Sequence, residues 1–552
     1  MNELIDRIRE VNCRDANLII RQISGIVDFF SSDDEKDDFI SAHYGDCHLV
    51  GEDKVAYGDW QTPRALAKKV CEYHLSRHGE PDIVIEPTCG VGAFVFSALD
   101  VFRDVSEIHA LEINSRYVSE LKFNLLQNAL NTPCTQKRPE IHIYNADFFE
   151  FDFSAIIDRS RCLDLNLAIM GNPPWVTNSR QGKQNSDNVP VKRNIYGLRG
   201  IDAITGKSNF DISEYITLRL LKLSHLNKGG ISFLLKNSVI RNVMEKQHVE
   251  PLNIGDIEQN LIDASSEFNV SVDASCFSAG FNRNPAVICK IKDFYTNTFV
   301  KKYGWVDNSF VSDVDMYGSF VRYDSVSDFV WRSGIKHDCA SVLELTRVSG
   351  AYVNGLGESV NIEEDLIYPL LKSSDINNYS EGCFKKFLIV PQRRTGENTS
   401  SLKHTHPLAY SYLTSHESAF SNRKSSIYNG KDKFSIFGVG DYSFKPYKIV
   451  VSSLYKNIRF VLVSQFQGKP IMVDDTCYQL DFDGADDARN IYAAINSHEI
   501  QSLLKSLIFM DAKRVITKKL LMRLDLRRLC MDKGMIKEHA QGKGSQQLFL
   551  FD

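Results

Sequence analysis

Between residues 80 and 175 the chain carries four short apolar runs, Ile83–Ile85, Ile108–Leu111, Ile141–Tyr144 and Leu165–Met170, each ending on polar or turn-forming residues. Runs this short and this sharply bounded predict strands buried on both faces of a parallel sheet. They lie about 25–35 residues apart, which leaves room for one helix between strands, the right-handed βαβ repeat. Ahead of them, Thr62 as N-cap and Pro63 as first helical residue predict a helix over ALAKKVCEYHL. Beyond them the pattern predicts a helix over Asn209–Leu226, a strand over Ile231–Lys236, and a hairpin of Val270–Phe277 with Pro285–Ile291. Residues 1–50 read as helices ending in the acidic turn Ser31–Glu35, with a packing role only. The stretch 296–345 reads as a connector with a short helix over Asp338–Arg347, and Lys513–Arg528 as a helix near the end.

The chemistry sits where the strands stop. The fourth run stops at Gly171-Asn172-Pro173-Pro174-Trp175. Two prolines cannot donate to a sheet ladder, so the strand ends there and exposes an amide, a main-chain carbonyl and an aromatic ring. Asn172 and the Pro173 carbonyl can accept both hydrogens of an NH2 group on a planar molecule, while Trp175 offers a stacking face. The first run leads through Glu86 into Pro87-Thr88-Cys89-Gly90-Val91-Gly92, a glycine turn that lets a cofactor approach backbone at a helix start. Val95 stands where the dinucleotide fingerprint would have its third glycine. The second run ends on Glu112, placed to grip ribose hydroxyls. The third runs into Asp147-Phe148, an acceptor for an adenine amine beside a ring to cover the base. The polar stretch Val176–Ser208 reads as a long loop at the same mouth.

Composition changes the picture only locally. The 552 residues exceed one ordinary core, so at least two large domains are expected. Twelve scattered cysteines contain no CxxC pair, which argues against a zinc site or a disulfide framework and for a reducing cytoplasm. No apolar run reaches membrane-spanning length. Net charge is −5, yet residues 381–460 hold 13 Lys/Arg against 5 Asp/Glu with aromatics interleaved, which suits a nucleic-acid face.

In this order the motifs resemble those of the gamma-class (TaqI-like) N6-adenine DNA methyltransferases of restriction-modification systems. The segments 331–338, 368–376 and 437–449 resemble their C-terminal domains. Trp175 stands where many relatives have tyrosine. The resemblance implies an α/β fold: a Rossmann-like, mixed seven-stranded methyltransferase sheet followed by a C-terminal α+β target recognition domain. The boundaries it implies are a helical extension at 1–50, a methyltransferase domain at 51–295, the connector at 296–345, DNA recognition at 346–540 and a mobile tail at 541–552. It implies S-adenosyl-L-methionine held by Thr62, Glu86, Pro87, Thr88, Cys89, Gly90, Gly92, Glu112, Ile113, Asp147, Phe148 and Asn172. Asn172, Pro173, Pro174 and Trp175 form the catalytic motif, and Phe277 or Phe281 is expected to wall the base pocket with Trp175. Double-stranded DNA is the expected partner, contacted by Arg393, Arg394, Arg423, Lys424 and Lys445, with the target adenine flipped out of the stack.

No metal is needed, and the protein is expected to act as a monomer in a bacterial cytoplasm; the sequence leaves open whether it works beside a separate cognate restriction endonuclease or alone. The rival enzymatic reading is methylation of an RNA adenine or a protein glutamine amide. The rival of another class is a catalytically inactive DNA-binding subunit.

Overall fold

The computed structural model describes residues 1–44, 61–132, 138–175, 211–380, 382, 384–511 and 514–534. The polar stretch 176–208, the segment 57–60 and the tail 541–552 lie outside the described residues. The chain divides into two compact units, Met1–Phe310 and Val311–Asp552.

The first unit is built on eleven strands: β1 (Ile26–Val27), β2 (Ile83–Glu86), β3 (Glu107–Glu112), β4 (Glu140–Asn145), β5 (Asn166–Gly171), β6 (Lys228–Lys236), β7 (Gly255–Ile262), β8 (Ala274–Gly280), β9 (Ile288–Asp293), β10 (Phe299–Val306) and β11 (Ser309–Val311). Their order is β1-β4-β3-β2-β5-β6-β8-β7-β9-β10-β11. The expected seven-stranded sheet lies inside it as β4-β3-β2-β5-β6-β8-β7, in which only β8 runs against the rest. Reversal of strand order beside β2 opens a crevice at the carboxyl ends of β2 and β5, the place where such sheets bind ligands.

β2 is buried along its whole length, and Leu167, Ala168, Ile169 and Met170 of β5 are fully buried. Such strands need helices on both faces. The first four helices are α1 (Asn2–Arg9), α2 (Cys13–Ser24), α3 (Asp33–Tyr44) and α4 (Arg64–His78). Cys71 of α4 meets Met170 of β5 at 3.6 Å, and His74 Nδ1 pairs with Ser232 Oγ of β6 at 2.8 Å. Next come α5 (Ala93–Val101), α6 (Ser115–Asn131), α7 (Ser154–Cys162), α8 (Ile212–Ser224) and α9 (Asn237–Val249). Thr62 does not cap α4, which starts at Arg64 without a side-chain cap.

Several expectations change. The N-terminal segment is more than a helical extension: Ile26 pairs in parallel with Ile141, and Leu4, Ile8, Ile20 and Phe30 share one core with Leu121 and Leu125. The acidic residues of Ser31–Glu35 do not end a helix but open one: Asp33, Asp34 and Glu35 form the first turn of α3, where they suit the helix dipole. The late hairpin does not form, because β7 lies between β8 and β9. The sequence hid β7 because Glu258, Gln259 and Asn260 are buried on it, which breaks the apolar pattern. Within the supposed connector, β10 pairs with β9. The helix expected over Asp338–Arg347 is one turn, Ala340–Leu343, followed by the strand Glu344–Val348, whose Thr346 and Val348 favour extended backbone. The described part of Lys513–Arg528, from Arg514 on, is likewise broken, because Thr517 and Asp525 each cap a short separate helix.

The second unit is α+β. One sheet orders Ser359–Val360, Ala351–Asn354, Glu344–Val348, Lys386–Ile389, Ile367–Leu371 and Met472–Val473; the other orders Arg332–Ser333, Cys477–Phe482, Tyr447–Ser452 and Phe460–Val463. One apolar cluster lies around Leu388 and Ile436 of the first sheet and its surroundings, and a second joins Val450 and Val461 of the other sheet to Leu371 and Val473 of the first.

Candidate active site

The turn between β2 and α5 can be made only with glycine at two positions. Gly90 and Gly92 have φ of +53° and +89°, the left-handed region that side chains avoid. A Cβ on Gly92 would stand 2.2 Å from Leu121 Cδ1, and one on Gly90 2.9 Å from Gln61 Oε1. The end of β3 is locked to this turn. Glu112 Oε2 accepts from the Gly90 N–H at 2.9 Å, and Oε1 accepts from the Asn114 N–H at 2.8 Å. Asn145, ending β4, donates to the carbonyls of Glu112 and Ile113 at 3.0 Å each. Three strand ends therefore form one hydrogen-bonded rim, with the Ile113 side chain 42% exposed on it.

Buried polar atoms on this rim point to a ligand. Glu86 Oε2 and Thr88 Oγ1 are buried with no hydrogen-bond partner among the described residues. Such an atom costs ~1–3 kcal/mol when left unmet. Burial pushes the Glu86 carboxyl well above its usual range; an N–H from Val95 opposes this and the charge of Glu112 adds to it. Pro87 and Cys89 are buried in the same turn. Asp147 Oδ1 accepts from the Phe149 N–H at 2.9 Å, closing a turn after β4. The Phe148 ring is only 5% exposed, 5.4 Å from Phe153 and covered by the Arg219 guanidinium at 5.1 Å. Arg219, which sequence reasoning did not single out, also donates to the carbonyls of Phe148 and Phe151 at 2.7 and 2.8 Å.

β5 delivers Asn172 beside the glycine turn. A Cβ on Gly171 would lie 3.6 Å from Glu86 Cγ and 3.7 Å from Pro87 Cδ, so the two motifs stand side by side at the ends of neighbouring strands. Asn172 is half-buried, and its Nδ2 donates to Thr62 Oγ1 at 3.2 Å. Pro173 is buried and Pro174 half-buried. Trp175 is 8% exposed, its Nε1 donates to the Leu234 carbonyl at 3.1 Å, and its ring meets Phe268 edge-on at 5.2 Å. Lys236 donates to the Trp175 carbonyl at 3.4 Å and pairs with Asp211.

The second wall is where the expectation fails. Phe281 follows the end of β8 that pairs with Gly230, at the opposite end of the strands from Asn172, because β8 is antiparallel. Phe277 faces Phe233 across the ladder and is fully buried, two strands from β5. Phe268 occupies the place beside Trp175, at the end of a short helix, Ala264–Phe268, capped by Asp263. The capping pattern DxxS before an aromatic was the available signal.

Glu107, His109 and His142 gather their ligating atoms within 4.8 Å of one another on β3 and β4. Their imidazoles stack in parallel, 4.6 Å apart with 8° between planes. A metal sits in the plane of each imidazole at about 2 Å, and parallel planes so far apart share no such point. Arg159 already neutralises Glu107. The group is a stacked ladder.

In the second unit, Arg394 pairs with Asp441 at 2.9 Å and Lys445 pairs with Asp483, while Arg393 lies over the Phe444 ring at 4.1 Å. Lys424 is exposed. Arg423 corrects the expectation of a phosphate contact. It stacks 3.7 Å from the Tyr428 ring centre and donates to the carbonyls of Phe420, Lys433 and Ser435 at 3.0, 2.8 and 2.6 Å, which makes it a brace for its own loop. No helix among the described residues is long and apolar enough to cross a membrane.

No family model matches the chain. Over 481 residues, 87% of its length, the chain is 39% identical to the type II methyltransferase M.NspV of Nostoc sp. and covers 98% of that protein. Among solved structures, it resembles the type IIL restriction-modification enzyme MmeI in complex with DNA, with a TM-score of 0.50 and 12% identity over 83% of this chain. The chain spans 64% of that protein's length. The type IIG restriction endonuclease BpuSI aligns with 90% of this chain and 62% of its own at a TM-score of 0.34 and 13% identity. With the relative's identity and coverage joined to this fold, the chain belongs to the type II methyltransferases.

Proposed function

We propose that the chain transfers a methyl group from S-adenosyl-L-methionine to the N6 amine of an adenine flipped out of duplex DNA, at a specific site and in a restriction-modification role. The observation that carries this reading is the adjacency of the two motifs: the Asn172 turn leaves β5 beside the end of β2 that carries Glu86 and Pro87, so an amine held by one lies beside a donor held by the other. The unmet Glu86 and Thr88 oxygens and the Gly90–Gly92 cradle fit a bound cofactor. When bound, that cofactor supplies a methyl already activated on a sulfonium sulfur.

The residues of the chain do the rest. Asn172 and the Pro173 carbonyl each accept one N–H of the amine and stabilise the positive charge that grows on its nitrogen as the methyl carbon bonds to it. One amine proton passes to water afterwards. Trp175 offers a ring to the base with Phe268 edge-on beside it, and the rigid strand end aligns donor and acceptor. The surplus of Lys/Arg between residues 381 and 460 supports a DNA-binding role for the second unit.

The test is tritiated methyl transfer to duplex DNA, RNA and protein in parallel, with cofactor binding followed by calorimetry. Label recovered as N6-methyladenine in duplex DNA is expected. Label confined to RNA or protein would overturn the substrate, and absence of cofactor binding would favour the inactive DNA-binding subunit.

A further inference from the structure

Thr62 and Asn172 are 110 residues apart in sequence and meet at 3.2 Å, amide nitrogen to hydroxyl oxygen. The prolines that follow Asn172 remove the neighbouring N–H groups that would otherwise orient a side chain at the end of a strand. An asparagine amide turns broadly about its last torsion, and turning it over exchanges its acceptor for its donors. An amide whose NH2 faces an incoming amine sets donor against donor. A hydroxyl that engages Nδ2 instead turns Oδ1 to the other side.

Thr62 is well mounted for this. Pro63, with φ of −57°, joins it stiffly to α4, and Ala67 donates to the Pro63 carbonyl at 3.0 Å. α4 is in turn seated on the same strand that carries Asn172, through Cys71 on Met170, and on β6 through His74 and Ser232. Hydroxyl and amide therefore ride on one rigid assembly, and the hydroxyl is not spent on capping the helix.

We infer that Thr62 is a positioning residue for methyl transfer: its hydroxyl holds the Asn172 amide with Nδ2 toward α4 and Oδ1 toward the target amine. This rests on the methyl-transfer reading above. A cofactor ligand and a positioning residue leave different kinetic marks, because only the latter acts in the transition state without changing ground-state binding.

Thr62→Val preserves shape and removes the hydroxyl. Single-turnover transfer to duplex DNA at saturating cofactor is expected to fall about tenfold, the value of one hydrogen bond. The cofactor Kd by calorimetry is expected to stay within about twofold of the parent, a small change on this free-energy scale. Thr62→Ser is expected to restore the rate. The inference is overturned if Thr62→Val weakens cofactor binding while transfer at saturation matches the parent, or if both quantities are unchanged. It is overturned equally if Thr62→Ser stays as slow as Thr62→Val while melting with the parent. The parent enzyme is assayed first on DNA, RNA and protein, so a failure of the substrate reading shows there and not in the comparison of variants.

Discussion

The indole N–H of Trp175 donates to the Leu234 main-chain carbonyl at 3.1 Å, fastening the aromatic wall of the candidate site to the strand next to the one that carries it. Trp175→Phe keeps an aromatic face but leaves that carbonyl without its donor. We expect a loss of ~1–2 kcal/mol in stability and a lower turnover, measured by denaturant unfolding and a methyl-transfer assay. Trp175→Ala should additionally remove ~1–3 kcal/mol of base stacking, visible as a changed signal from a fluorescent base analogue at the target position.

Asn172→Ala removes the acceptor at the strand end without touching the glycine turn. Transfer should fall by at least ~100-fold, the scale of losing one transition-state hydrogen-bonding group, while calorimetric cofactor affinity persists. Transfer at close to the parent rate would contradict the role given to Asn172.

Phe268 and Phe281 separate two geometries for the base pocket. Phe268→Leu should lower turnover, because it replaces the ring that meets Trp175 at 5.2 Å. Phe281→Leu should cost stability and leave the single-turnover rate of the folded enzyme intact, since that residue lies at the far end of the strands from Asn172. The comparison is a single-turnover measurement on both variants.

Gly92→Ala meets both a backbone and a steric penalty, with φ of +89° and Leu121 Cδ1 2.2 Å from the new methyl. We expect a destabilisation of ~1–3 kcal/mol and weaker cofactor binding, read from thermal melts with and without cofactor. Shortening Leu121 in the same chain should recover only the steric part.

Lys448 gives the second unit a pH dependence. It is 1% exposed, its Nζ donates to the Lys445 carbonyl at 2.9 Å, and burial lowers its pKa to about 7 while Asp481 opposes the shift. An unfolded lysine titrates near ~10.4, so between about pH 7 and that value the unfolded chain binds the extra proton. Stability contributed by this group therefore rises with pH across that window. Lys448→Met should stabilise the protein at pH 7 and flatten the rise, checked by unfolding curves of both proteins from pH 7 to 10.

The local pattern of the chain decided the strand ends. Glu86, Glu112 and Asn172 each close an apolar run, and burial on both faces makes such runs continuous enough to read. Gly90 and Gly92 were legible for the same reason, since only glycine tolerates that turn. What the linear pattern could not hold was anything depending on strand order or on charges satisfied from afar. Phe281 stands far from Asn172, and Phe268 beside Trp175, because one antiparallel strand reverses which end of a hairpin-like pattern faces the site. β7 escaped notice because Glu258 meets Tyr73, Arg77 and Lys292, partners that burial supplies and sequence spacing conceals. Arg423, basic and near aromatics, read as a phosphate contact until its loop folded back and gave its donors to main-chain carbonyls. Thr62 looked like a helix cap and became the partner of Asn172, because a hydroxyl bonds whatever the fold brings within reach.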